Sequence, residues 1–180
     1  MIKTLFFDTD CLCAFLWVGY EGLLPQLYPG RIIIPRPVYT ELCNPRIPHL
    51  RSRTDALLRR KQAAVQELHI DSAEYGTYFQ LTEAPEKGHP LIGSGEAAAI
   101  SLAKQYNGIV ASNNLRDISS YINEFSLEHI TVGIILVNAC HNGLITEEGG
   151  NTIWAKMLAR RRRLGAPTFT DYRNQQSLIP

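Results

Sequence analysis

The sequence predicts an α/β fold, a three-layer α/β/α arrangement with a central parallel sheet. Two observations carry this. Leu5-Phe6-Phe7, Arg31-Ile32-Ile33-Ile34-Pro35 and Gly108-Ile109-Val110-Ala111-Ser112 are short apolar runs without polar alternation, so each reads as a strand buried on both faces. Segments of helical pattern lie between them, and such alternation builds a parallel sheet covered by helices.

Taken in order, Leu5 to Phe7 is the first strand, and Cys11 to Tyr20 is an apolar helix stopped by Gly19 and Gly22. Tyr28-Pro29-Gly30 is a turn, and residues 31–35 are the second strand, rich in β-branched side chains. Pro37 then suits the first turn of a helix, where its missing N–H has no helical partner to lose. Leu50 to Leu68 reads as one long helix with a basic face, Arg51, Arg53, Arg59, Arg60 and Lys61. His69 to Asp71 reads as a brief strand, Ala73 to Thr82 as a helix, and Glu83 to Leu91 as a polar loop. Ser94 is placed to cap a helix through Ala103. Gly108 to Ser112 and His129 to Val132 are strands, and Gly133 to His141 is an apolar helix stopped by Asn142-Gly143. Thr146 opens a last helix that ends in Lys156 and Arg160 to Arg163, where cations favour the helix end or contact phosphate.

The chain of 180 residues reads as one domain over residues 1–165 with a C-terminal tail over residues 166–180. Its formal net charge of +1 excludes a globally basic nucleic-acid binder, so any such contact must be local. Cys11, Cys13, Cys43 and Cys140 lack the spacing of a zinc knuckle and read as free thiols of a reducing, cytoplasmic compartment. No cleavable signal and no membrane-length apolar stretch is visible.

Acids recur at strand ends. Asp8 and Asp10 follow the first strand, where open α/β sheets bind ligands. They read as metal or phosphate chemistry, or as a turn residue and a helix cap. Glu41 lies one turn into the helix after the second strand, and Glu96 opens the helix after two glycines. Either can serve a cation or the positive helix end. Ser112, Asn113 and Asn114 follow the third strand, with Asp117 one helical turn further on. Converging carboxylates repel unless a cation joins them. Oxygen donors suit Mg²⁺ or Mn²⁺, which can activate water for attack on phosphorus. The five histidines are scattered and take no role.

Four stretches resemble, in order, the motifs of the PIN-domain family. They are Phe7-Asp8-Thr9-Asp10, then Pro35-Arg36-Pro37-Val38-Tyr39-Thr40-Glu41-Leu42, then Gly95-Glu96-Ala97-Ala98-Ala99-Ile100-Ser101-Leu102-Ala103, then Ser112-Asn113-Asn114-Leu115-Arg116-Asp117. The resemblance covers Ile2 to Val137 and implies a PIN-like fold and a metal-dependent endoribonuclease, often the VapC-type toxin of a bacterial toxin–antitoxin pair. It carries Asp8, Glu41 and Glu96 over as catalytic, metal-site acids for Mg²⁺ or Mn²⁺. The family often has an acid where Asn114 stands; some members have this Asn with an Asp three residues later, the place of Asp117. Ser112, Asn114 and Asp10 are the supporting polar residues, Asp10 replacing the usual neutral one. The implied partners are an RNA substrate, an antitoxin protein and a second copy of the chain.

Two other readings stay open. Asp8-Thr9-Asp10 also fits a haloacid-dehalogenase-like phosphatase, with Asp8 as nucleophile and Asp10 as general acid/base. That chemistry needs a late acidic pair after a strand, and Thr131-Val132-Gly133 has none. A PIN-like fold that binds RNA or a partner without cutting is favoured by Asn113 and Asn114.

Overall fold

The computed structural model describes residues 2–84 and 90–177. Five strands form one parallel sheet: β1 (Leu5–Phe7), β2 (Ile32–Pro35), β3 (Ala64–Gln66), β4 (Ile109–Ala111) and β5 (Glu128–Ile130). Their spatial order is β3-β2-β1-β4-β5, with Leu5 beside both Ile32 and Ile109. The chain therefore runs outward from β1 on one side, returns, and continues outward on the other. The reversal at β1 opens a crevice beyond the carboxyl ends of β1 and β4.

Alternate residues of β1 enter different cores, as a pleated strand requires. Leu5 and Phe7 join one cluster with α1 (Thr9–Val18), α3 (Arg36–Leu42), α8 (Val132–His141), α9 (Glu147–Ala159) and α10 (Phe169–Ser177). Phe6 joins the other, with α5 (Ala73–Thr82), α6 (Ser94–Tyr106) and α7 (Leu115–Glu124). Helices thus cover both faces, and the three-layer α/β/α architecture is the one the apolar runs predict. Two further helices, α2 (Leu23–Leu27) and α4 (Pro48–Arg59), complete the first layer. Among the described residues no helix is long and apolar enough to cross a membrane.

Four local expectations are corrected. The helix expected through Leu68 stops at Arg59, and residues 64–66 pair with β2 instead. Lys61 takes a left-handed φ of 55°, and the Gln62 N–H donates to the Leu57 carbonyl. No glycine marks this stop, so helical periodicity ran on past it. His69 to Asp71 forms a turn rather than a strand, and the Ser72 hydroxyl caps α5 by accepting from the Tyr75 N–H. Gly93, not Ser94, is the N-cap residue of α6.

The fourth concerns residues 166–180, expected as a tail. Residues 169–177 form α10, in which Phe169 and Tyr172 are buried. Their rings pack against Trp154 with centroids 6.1 and 5.2 Å away, and the Trp154 indole N–H donates to the Ala166 carbonyl at 3.0 Å. Gly150 and Gly133 admit these rings: a Cβ on Gly150 would run into Phe169, and one on Gly133 into Tyr172. Of the loop expected over Glu83 to Leu91, residues 85–89 lie outside the described residues, as do residues 178–180 of the tail.

Candidate active site

Asp8 directly follows the central strand and is fully buried. It is the N-cap of α1: its Oδ1 accepts from the Cys11 N–H at 2.7 Å. Asp8, rather than Asp10, therefore caps the helix. Its other oxygen, Oδ2, has no well-formed hydrogen bond. Burial pushes the Asp8 carboxyl up to about 7; the nearby Ser112 hydroxyl and the Cys11 N–H offset part of this, while Asp10 and Glu96 add to it. A buried, unpartnered carboxylate oxygen is costly, and a cation removes that cost.

Glu41 projects from α3 toward the same crevice. Thr9 donates its hydroxyl to Glu41 Oε2 at 2.6 Å, and Ser94 donates to Oε1 at 2.8 Å. Gly95 makes this approach possible, since a Cβ there would come within 2.6 Å of Thr9 Oγ1 and 3.5 Å of Glu41 Oε1. The fully buried Ala97, Ala98 and Ala99 that follow add little bulk to the same helix.

Glu96 sits in the first turn of α6. Its Oε2 accepts from the Gly93 N–H at 3.0 Å, and its Oε1 accepts from the Asn114 amide at 2.5 Å. That amide also donates to Asp117 Oδ2 at 2.7 Å. Asn114 is the N-cap residue of α7, which places Asp117 in the first turn on the same side. The Asn114 N–H donates to Ser112 Oγ at 3.2 Å. The neighbouring Asn113 turns away and accepts from the Val132 N–H.

Two adjoining clefts result. Asp8, Asp10, Glu41 and Glu96 line one of about 250 Å³. Asp10, Glu96, Asn114, Asp117 and Arg161 to Arg163 line the other, of about 290 Å³. The fold thus brings Asp8, Glu41 and Glu96 together, with Asp117 across the second cleft and Glu96 common to both. Among the described residues no three acidic, histidine or cysteine side chains are grouped closely enough to hold a metal ion between them. The donors are nonetheless hard oxygens, and Asp8 Oδ2 is an acceptor still lacking a partner. That chemistry fits a divalent cation such as Mg²⁺ better than a soft one.

Three contributors escaped the sequence reading. Thr9 and Ser94 orient Glu41, and Arg162 reaches Asp10, its Nη1 lying 2.9 Å from Oδ1. Arg160 to Arg163 read from the sequence as a favoured helix end or a phosphate contact; nothing local linked them to Asp10. The other basic run does not border the site. Arg53 pairs with Glu21 and Arg51 with Asp55, while Lys61 lines a pocket with Gly30 and Ile32 at the opposite end of the sheet.

The structure is thus a parallel five-stranded α/β domain with acids gathered beyond its central strand. The family model DUF3368, a PIN domain, matches residues 4–176, and the chain belongs to the PIN-domain family. The PIN domain is a nuclease fold, and the match reaches across α10, which the motif resemblance did not. No curated protein matches the chain.

Proposed function

We propose that this chain is a metal-dependent endoribonuclease, the toxin of a bacterial toxin–antitoxin pair. The observation that carries the reading is Asp8: a buried carboxyl with one unpartnered oxygen, at the switch point of the sheet, in a cleft shared with Glu41 and Glu96. Asp8, Glu41, Glu96 and Asp117 would hold the cation. A bound Mg²⁺ or Mn²⁺ supplies an activated water and stabilises charge on phosphorus.

The chain's own residues do the rest. Thr9 and Ser94 fix the rotamer of Glu41, and Asn114 holds Glu96 and Asp117 toward each other. Arg161 to Arg163 present cations to the RNA backbone along the second cleft. The phosphatase alternative loses ground here. Its general acid/base, Asp10, is engaged by Arg162. An antitoxin and a homodimer belong to the same reading on the strength of the family resemblance alone.

The test incubates purified protein with structured RNA and Mg²⁺ or Mn²⁺, with and without chelator. Cutting that stops with chelator, and that Glu96→Gln lowers at least about a hundredfold, supports the reading; a carboxylate at a metal site contributes several kcal/mol. Metal-independent cutting, or phosphate release from small phosphomonoesters instead, refutes it.

The fourth acidic position has its own expected result. Asp117→Asn weakens metal-dependent cleavage strongly, whereas Asn114→Asp leaves it intact or raises it. Asn114→Asp removes the amide that separates two carboxylates and adds a third, so the metal-free protein loses stability while metal affinity rises. Titration of Mg²⁺ by calorimetry measures the affinity. Wild-type metal affinity in Asp117→Asn would leave the site with three acids.

A further inference from the structure

Arg162 lies beyond the end of α9, yet it lines both clefts of the site. The backbone puts it there. Arg161 adopts a left-handed φ of 58°, a conformation that costs a non-glycine residue free energy. The Arg161 N–H bonds the Leu158 carbonyl and the Arg162 N–H bonds the Met157 carbonyl, so the chain turns back at this point. The Arg162 Nε donates to the Arg160 carbonyl at 3.3 Å, and Nη1 meets Asp10 Oδ1 at 2.9 Å. A guanidinium is thereby held over a cleft that otherwise presents four carboxylates, Asp8, Asp10, Glu41 and Glu96.

That cleft repels a phosphodiester. A planar guanidinium is the side chain best matched to phosphate oxygens. The ion pair that holds it is part-exposed, 25% for the Arg162 side chain and 41% for Asp10. Such pairs are weak, so giving this one up costs at most about fivefold in affinity. Arg161 and Arg163 flank it along the second cleft and extend the positive rim.

We propose that Arg162 binds an RNA backbone phosphate beside the acidic cleft, and that Asp10 holds the guanidinium in place until that phosphate displaces it. This rests on the nuclease reading and names the positioning pair of its substrate. Asp10, an acid where the family usually has a neutral residue, thereby gains a role that metal binding does not give it.

The experiment measures anisotropy of a short labelled single-stranded RNA with the full chain in chelator, so that no cutting occurs. Arg162→Ala weakens binding about tenfold and makes the negative slope of log affinity against log salt shallower by about 0.7, the loss of one phosphate contact. Arg162→Lys recovers part of the affinity and guards against a folding artefact. Asp10→Asn tightens binding, and does so less in the Arg162→Ala background, because there no guanidinium is released. Wild-type affinity and slope in Arg162→Ala overturn the proposal. So does an equal effect of Asp10→Asn in both backgrounds, which would make Asp10 a source of repulsion only. Wild-type protein that binds RNA in this way but never cuts it with Mg²⁺ or Mn²⁺ defeats the nuclease reading and leaves the phosphate contact standing. Protein that cuts while Arg162→Ala binds normally defeats the contact alone, and protein that neither binds nor cuts defeats both.

Discussion

Asp8→Asn abolishes metal-dependent cleavage and at the same time raises the melting temperature of the metal-free protein. The two effects have one cause. The ionised Asp8 carboxylate is buried with an unpartnered oxygen, an arrangement that a cation completes and that its absence makes costly. Loss of that ligand removes several kcal/mol of transition-state stabilisation, on the order of a thousandfold in rate. Asparagine keeps the helix cap, since its amide oxygen also accepts from the Cys11 N–H.

The stability effect depends on pH, with a definite sign. Unfolding returns the Asp8 carboxyl from about 7 to its ordinary 3.8. Between those values the folded chain binds more protons than the unfolded one, so the metal-free protein loses stability as pH rises from about 4 to about 7, and no further above that. The asparagine that replaces Asp8 has nothing to titrate. The variant's advantage is therefore small near pH 4 and largest at pH 8, where it reaches on the order of 4 kcal/mol. In a domain of this size each kcal/mol moves the melting temperature by roughly 2–4 °C. Melts in chelator at pH 5 and pH 8 measure it, and Mg²⁺ stabilises the wild type but not the variant. A variant that melts lower than wild type at pH 8, or that cuts RNA at full rate, contradicts this account.

Phe169→Ala is the most damaging single change expected outside the site. The ring is fully buried, packs on Trp154 and occupies the space left by Gly150. Removing such a ring costs about 3–5 kcal/mol, because the surrounding helices cannot close the cavity. The melting temperature drops by roughly 10 °C. The loss reaches the site as well: α10 backs α9, and the turn after α9 carries Arg161 to Arg163. RNA binding in chelator weakens near the melting transition. Urea denaturation gives the stability change directly. A chain ending at Gly165 that melts like the wild type would show that α10 adds nothing to the core.

The layered architecture was legible because strands buried on both faces must be apolar without alternation, and residues 5–7, 32–34 and 109–111 satisfy this with purely local patterns. The acids were legible for a related reason: Asp8, Glu41 and Glu96 each interrupt or follow an apolar element, where a charge has no place in a core. The strand β3 was not legible, since its residues 64–66 are half-exposed and continue a helical pattern broken only by a left-handed Lys61. Nor was α10, whose sequence is mostly polar and whose two buried aromatics pair with glycines of α8 and α9. Arg162 and Asp10 lie near opposite ends of the chain and meet only because α9 packs beside α1. The amide of Asn114 likewise finds Glu96 only once α6 and α7 flank the same face of the sheet. Local patterning determined which segments must be buried and which charges must be explained. Only tertiary packing decided which charges face one another, because ion pairs and hydrogen bonds depend on distance in space and leave no periodic trace along the chain.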